Sequence, residues 1–369
     1  MTKRISFLFA LALLLNGSAF GYSGLGHEMV GAIADKRLKD KPVAAKIEKL
    51  LDGISLERAS TIADEIRGWD KRGADDLGAF HYLAHPKIDN QLRDFWRANQ
   101  PTHDMSSPMP SHHWFHYTDV PVMELEKYSD GKTGRNRWDI VHMIPYCTSV
   151  LRGDTPEDNP RKITKPVAII LLAHYVGDIH QPLHVGAEYF DPQGRAINPD
   201  KGSEAMGDEG GNTLTLHVRD QPESSGRPLT LHGFWDYDAV MANFPALAGI
   251  LSKEERFDKM NAAKRELVDR FASEQPQDWN LSSNTALKDY AENWANEVLP
   301  IAKEAHDRLR FENVKPLQQA DGRLVAAGEA EEKDAPDHMA YREWARKVVR
   351  RELHKAGWRL ADLLEKAIP

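Results

Sequence analysis

The residues best placed to do chemistry lie in His174-Tyr-Val-Gly-Asp178-Ile-His-Gln-Pro-Leu-His184. The stretch closes an apolar run, Pro166 to His174, long enough for a buried helix. Residues four apart share a helix face, so His174 and Asp178 should point the same way, one turn apart. An imidazole and a carboxylate at that spacing can share one metal ion. Gly177 and Pro182 are expected to weaken the helix beyond, letting His184 curl back towards the same space. Nitrogen and oxygen ligands without thiolates suit zinc best, with manganese or iron as alternatives. For any one of these residues, a core histidine hydrogen-bonded to an aspartate is the simpler explanation. Three on one apolar element argue against it, because burying such groups unpaired is costly. His232-Gly-Phe-Trp-Asp236 repeats the spacing, and Asp64 and Arg67 can share a face three residues apart.

Composition bounds what surrounds this motif. The chain has 369 residues, 41% hydrophobic and 28% charged, enough for a real core in one or two domains. The formal net charge of −8 argues against a broad basic face for nucleic acid. An anionic substrate would need local positive charge, which bound metal ions could supply. Cys147 is the one cysteine, so no internal disulfide can form. At the start, Lys3 and Arg4 precede an apolar run from Ile5 to Leu15 and then small residues. This reads as a secretory signal peptide over 1–21, too short for a membrane span. Cleavage is expected before Tyr22, with cleavage before Phe20 as the alternative.

Periodicity predicts helices over 25–38, 43–51, 56–69, 91–99, 138–151, 166–179, 253–273, 284–311 and 341–367. In the last, Val349, Leu353, Ala356, Leu360, Leu363 and Leu364 form a core-facing stripe. Its basic stretch, Arg346 to Arg351, reads as a solvated face. Ser106 to Ser111 reads as loop, and His112 to Pro121 as an extended or turning segment. Gly210-Gly-Asn212 marks a tight turn, and Thr213 to Val218 a short hairpin strand. Residues 187–209 look like an excursion, and the acidic, Ala/Gly-rich segment 315–336 like an exposed loop.

Collected in order, His27, Asp64, His116, His174, Asp178, His184, His232 and Asp236 resemble the metal ligands of the secreted zinc-dependent single-strand nucleases (the nuclease S-one / nuclease P-one family), whose fold is shared by zinc phospholipases C. The resemblance covers nearly all of 22–369. Its most specific parts are Ala63-Asp64-Glu-Ile-Arg67, the 174–184 motif, Gly210-Gly-Asn212 and Leu231-His232-Gly-Phe-Trp-Asp236; Trp294-Ala-Asn-Glu297 and the closing helix also match. It implies an all-α, mostly helical single domain with insertions at about 70–113, 187–209 and 315–336, holding three zinc ions. Asp64, His116, His174 and Asp178 would hold the first, and His184, His232 and Asp236 the second. His27, a bridging Asp178 and the amine and carbonyl of a mature N-terminal Tyr22 would hold the third.

The resemblance further implies a secreted or periplasmic phosphodiesterase. It would cleave single-stranded RNA or DNA at the P–O3′ bond, leave 5′-phosphates, and act on 3′-nucleotides. Asp64 would orient the attacking water and Arg67 hold the phosphate. Tyr117 would stack a base, while Asp119 and Asn212 would contact it; stacking tolerates any unpaired base. The sequence departs from the family pattern in three ways. Tyr22 replaces the usual tryptophan, the fungal disulfides are absent, and the segment between Asp64 and His116 is longer. That length makes His81 a rival to His116, but His-Tyr-Thr-Asp-Val-Pro after position 115 keeps the family's aspartate and proline. A zinc phospholipase C is the rival enzyme; against it, Asp236 stands where those enzymes carry glutamate, and the Tyr22–His27 gap is short. A non-catalytic zinc-binding protein is the third reading; against it, every ligand, Asp64 and Arg67 are intact.

Overall fold

The computed structural model describes residues 22–369 except 77, 103–109, 125, 203, 220–227, 247–251, 280–284 and 321. The signal-peptide reading and most of the 106–111 loop lie outside the described residues. The architecture is mostly helical. Its centre is Lys165–Asp178, a helix whose residues from Pro166 onward are all buried. Thr164 caps it, its side chain accepting from the Val167 N–H, and Pro166 sits in the first turn, where no helical N–H is needed. An element this apolar on every side must be covered all round. Gly24–Leu38, Ile140–Arg152 and Tyr341–Ala367 pack against it. The stripe expected on the closing helix is buried as a unit, from Val349 to Leu364. Among the described residues, no helix is long and apolar enough to cross a membrane.

Two expectations need substantial correction, beyond the shortening of the 284–311 helix to Tyr290–Asp307. The segment 56–69 is not one helix but three pieces, Leu56–Ala59, Ile62–Glu65 and a 3-10 turn Ile66–Lys71. The break leaves the Ser60 carbonyl outside the helical ladder, where it accepts a hydrogen bond from His174 Nδ1 at 2.7 Å. The second is 315–336, which is not an exposed loop. Leu309–Gln318 and Leu324–Glu332 form an antiparallel hairpin with an irregularity between Glu312 and Lys315. Leu324–Glu332 also pairs in parallel with Leu214–His217, so that predicted strand joins a three-stranded sheet, not a local hairpin. Val325, Ala326 and Ala330 are buried by this sheet. Alanine and glycine are weak strand formers, so packing overrides local preference here.

The excursion after His184 carries two short ribbons. Gly186–Ala187 pairs in parallel with Val120–Pro121, and Tyr189–Phe190 pairs antiparallel with Met206–Gly207. The first pairing sets the 112–121 segment beside the end of the central motif. His112–His116 is itself a 3-10 turn capped by the Ser111 hydroxyl.

Candidate metal centre

Asp178 is the hub. Its carboxylate is fully buried and meets four imidazoles: His116 at 3.0 Å, His174 at 3.1 Å, His27 at 3.3 Å and His184 at 3.8 Å. His174 Nε2 also lies 3.7 Å from Asp64. Beside this group, His232 Nε2 lies 3.2 Å from Asp236, and His184 Nε2 lies 4.0 Å from the same carboxylate. Three donor sets therefore converge, each with its atoms within 4.8 Å of one another: His27, His174, Asp178; Asp64, His116, His174; and His184, His232, Asp236.

The local chain explains the convergence. His174 and Asp178 share the inner face of the last turn of the central helix. Gly177 lies in the last turn of that helix, which ends at Asp178, but its chief role is not to weaken the helix. Its missing side chain instead makes room for His27: a Cβ there would lie 2.7 Å from His27 Nδ1. His27 consequently stacks on His174, with ring centroids 3.8 Å apart. Pro182–His184 forms a 3-10 turn that brings His184 back, as the sequence implies. His232 and Asp236 straddle the junction of a short helical turn and a π-helical stretch, Phe234–Asp238, a deformation frequent at functional sites.

Backbone carbonyls orient the rings. Nδ1 of His174 faces the Ser60 carbonyl, Nδ1 of His184 that of His116 at 2.9 Å, and Nδ1 of His232 that of Gly210 at 2.8 Å. Each contact places the proton on Nδ1 and turns an Nε2 lone pair inward. Gly210 adopts φ +60°, and a Cβ there would lie 2.3 Å from the Leu183 carbonyl. Gln181 donates to Asp236 at 2.8 Å. Sequence reasoning marked Gly210 only as a turn and gave Ser60 and Gln181 no role: carbonyl anchors carry no residue-type signal, and the partner of Gln181 lies 55 residues away.

The inward atoms have no hydrogen-bond partner. His27 Nδ1 and Nε2, Asp64 Oδ1, Asp178 Oδ1 and the Nε2 atoms of His174, His184 and His232 are all buried and unpaired. Several lie within ion-pair distance of one another yet lack the direction of a hydrogen bond. One unsatisfied buried polar group costs about 1–3 kcal/mol, so seven together cost on the order of 10 kcal/mol. Cations shared among these lone pairs would satisfy all but His27 Nδ1, which faces Gly177, and an oxygen-nitrogen donor set of this kind suits zinc.

Electrostatics agree with that fit at His27, His116 and His184, while His174 and His232 are held protonated, against burial, by the carboxylates they face until a cation replaces the proton. Burial drives His27 and His116 below the ordinary imidazole range and His184 down to about 3, leaving them neutral, as ligands must be. Burial also opposes charging of His174, but Asp178 and Asp64 outweigh it and lift that group to about 9. Burial would raise Asp178; His174 and His184 overcome it and hold the carboxyl well below its usual range. Asp236 is pushed up to about 6 by burial.

The remaining expected site residues fall around this group. Arg67 lies 3.5 Å from Asp64, one turn along. Tyr117 and Asp119 follow His116 and are half-buried; burial, with Asp208 and Glu209 adding, pushes Asp119 up to about 7. Asn212 donates to the Glu209 carbonyl at 2.8 Å, at the edge of the Gly210–Gly211 turn. Tyr22 is fully buried and its hydroxyl donates to the His180 carbonyl at 2.7 Å. His81, the rival to His116, faces away: its ring contacts the Asp76 carbonyl at 2.9 Å and Asp89 at 3.8 Å.

A family model described as S1/P1 Nuclease matches residues 22–369. The chain belongs to the S1/P1 nuclease family. It is 29% identical to "Endonuclease 4" of Arabidopsis thaliana over 231 residues, 61% of this chain and 57% of that protein. It is 25% identical to "Endonuclease 1" of the same plant, over 48% of this chain and 55% of that protein. A third relative, "Endonuclease 2", is 25% identical over 35% of this chain and 39% of its own. The chain thus spans about half the length of the two foremost curated relatives it matches.

Proposed function

We propose that this S1/P1 nuclease family member is an exported zinc-dependent phosphodiesterase that cleaves single-stranded RNA or DNA and also removes phosphate from 3′-nucleotides. The observation that carries the reading is the set of seven orphaned, buried donor atoms around Asp178. Asp64, His116, His174 and Asp178 are assigned to one zinc ion, and His184, His232 and Asp236 to a second. His27, Asp178 and the amine and carbonyl of Tyr22 are assigned to a third, which requires removal of residues 1–21. When bound, zinc supplies Lewis acidity that offsets phosphoryl charge and acidifies water.

The chain's own residues do the rest. Asp64 accepts a hydrogen bond from the incoming water and orients it. Arg67, beside it, holds a non-bridging phosphate oxygen and favours the charge that grows during displacement. Tyr117 supplies a face on which an unpaired base stacks, and Asp119 and Asn212 hydrogen-bond its edge. A paired base has no free face, which gives the preference for single strands. Breaking the P–O3′ bond leaves the phosphate on the 5′ side of the next nucleotide, and on a 3′-mononucleotide the same displacement releases phosphate. The test is turnover of single-stranded RNA, 3′-AMP and phosphatidylcholine, each with and without chelator. Chelator-sensitive cleavage of the first two supports the reading. Lipid turnover without nucleotide turnover would replace it with a phospholipase C.

A further inference from the structure

Outside the Asp178 group, a second cluster of ligand-type residues joins the two ends of the long segment between Asp64 and His116. Asp70 closes the 3-10 turn that carries Arg67, and His112 and His113 open the one that carries His116. Asp70 meets one imidazole on each oxygen. His112 Nε2 lies 3.3 Å from Oδ1, and His113 Nε2 contacts Oδ2. All three donor atoms fall within 4.8 Å of one another. Two ligands of a tetrahedral zinc, each about 2.0–2.1 Å from the metal, stand roughly 3.3 Å apart. The His112–Asp70 separation matches that edge and is long for a charge-assisted hydrogen bond, whereas His113 hydrogen-bonds Asp70 directly, so a bound ion would take the place of that bond.

The surroundings fix these side chains in place. Trp96 Nε1 donates to Asp70 Oδ1 at 2.6 Å, as outer partners of a ligating carboxylate do. His112 is buried, at 1% exposure, against the edge of Phe95, and its ring stands perpendicular to that of His113. His113 is 36% exposed, so one side of the cluster opens to solvent and leaves room for water as a further ligand.

We propose that Asp70, His112 and His113 form an auxiliary divalent-metal site, best suited to zinc, distinct from the centre around Asp178. Two histidines and one carboxylate with an open position form a recurring transition-metal donor set. The ligands are 42 and 43 residues apart, so an ion here clasps the neck of the intervening segment. Closing a long loop with a metal removes freedom chiefly from the unfolded chain. It also ties the turn bearing Arg67 to the turn bearing His116.

The site stands on residues separate from those of the proposed nuclease centre, and one experiment separates the two. The wild-type chain, His113→Ala, Asp70→Asn and His232→Ala are dialysed against buffered zinc and their metal is counted. Wild-type, His113→Ala and His232→Ala crystals are then measured at the zinc absorption edge. The expected result is one zinc fewer in His113→Ala and in Asp70→Asn than in wild type. An anomalous peak among Asp70, His112 and His113 should vanish in His113→Ala. That peak should persist in His232→Ala, whose loss falls at the other centre. A peak at Asp70 with none around Asp178 would support this site and refute the nuclease centre. Equal zinc counts in wild type and His113→Ala, with no peak at Asp70, would overturn the proposal and leave a hydrogen-bonded triad.

Discussion

Gly177→Ala is the sharpest probe of how the centre is assembled, because two effects of opposite sign compete. In an exposed helix interior, replacing glycine by alanine stabilises by roughly 0.5–1 kcal/mol. Here the new methyl would sit 2.7 Å from His27 Nδ1 and 3.0 Å from Cε1. Ordinary contact begins near 3.4 Å, so the ring must retreat by several tenths of an ångström. His27 is fully buried and stacked on His174, so it has nowhere to go without disturbing a second ligand. Overpacking of this kind costs about 1–3 kcal/mol, and metal–ligand distances tolerate only about 0.2 Å. The net expectation is a lower melting temperature, loss of one zinc equivalent, and activity on single-stranded RNA reduced roughly 10–100-fold, the range seen when ligand support is removed. Thermal melting with metal analysis checks this. A variant that is more stable than wild type and keeps its full zinc complement would refute the steric role given to Gly177.

Other outcomes follow from the same geometry. Asp178→Asn removes the charge that four imidazoles face, and should lower zinc content by at least one equivalent and abolish nucleotide turnover. Arg67→Ala should leave zinc content unchanged while lowering kcat/KM on RNA by roughly 100–1,000-fold, as loss of a transition-state donor does; steady-state kinetics decide. Away from the centre, His306 and Asp208 form a buried pair at 3.1 Å, and Asp208 with Glu188 lifts His306 to about 9 against burial. Its folded pKa is above the unfolded value, so its stabilisation is full below about 6.5 and lost as pH rises through about 9. Melting curves at several pH values should show that alkaline decline in wild type and a flatter profile in His306→Gln.

The helical frame was legible because its signal is periodic. The central helix, the 253–273 helix and the closing helix lie within a residue or so of where apolar spacing puts them. The site motifs were legible for a related reason: His174 with Asp178 and His232 with Asp236 each occupy one turn, so local spacing alone sets the pair. Elements governed by distant contacts were not. The break at Ser60 exists where its carbonyl serves His174, 114 residues away. The 309–332 hairpin forms from residues with weak strand preference because it joins Leu214–His217 across the chain. The close approach of His27 to Gly177 was not legible because His27 comes from another element. The Asp70 cluster escaped notice since its members sit at opposite ends of a long segment.

Native mass spectrometry of the protein expressed from the full sequence with His113→Ala, which silences the proposed auxiliary site, reports the N-terminus and the occupancy of the Asp178 centre together. The expected species begins at Tyr22 and retains three zinc ions. A correctly folded, correctly trimmed chain that keeps fewer than two ions in excess zinc would contradict the metal centre on which the proposed chemistry stands.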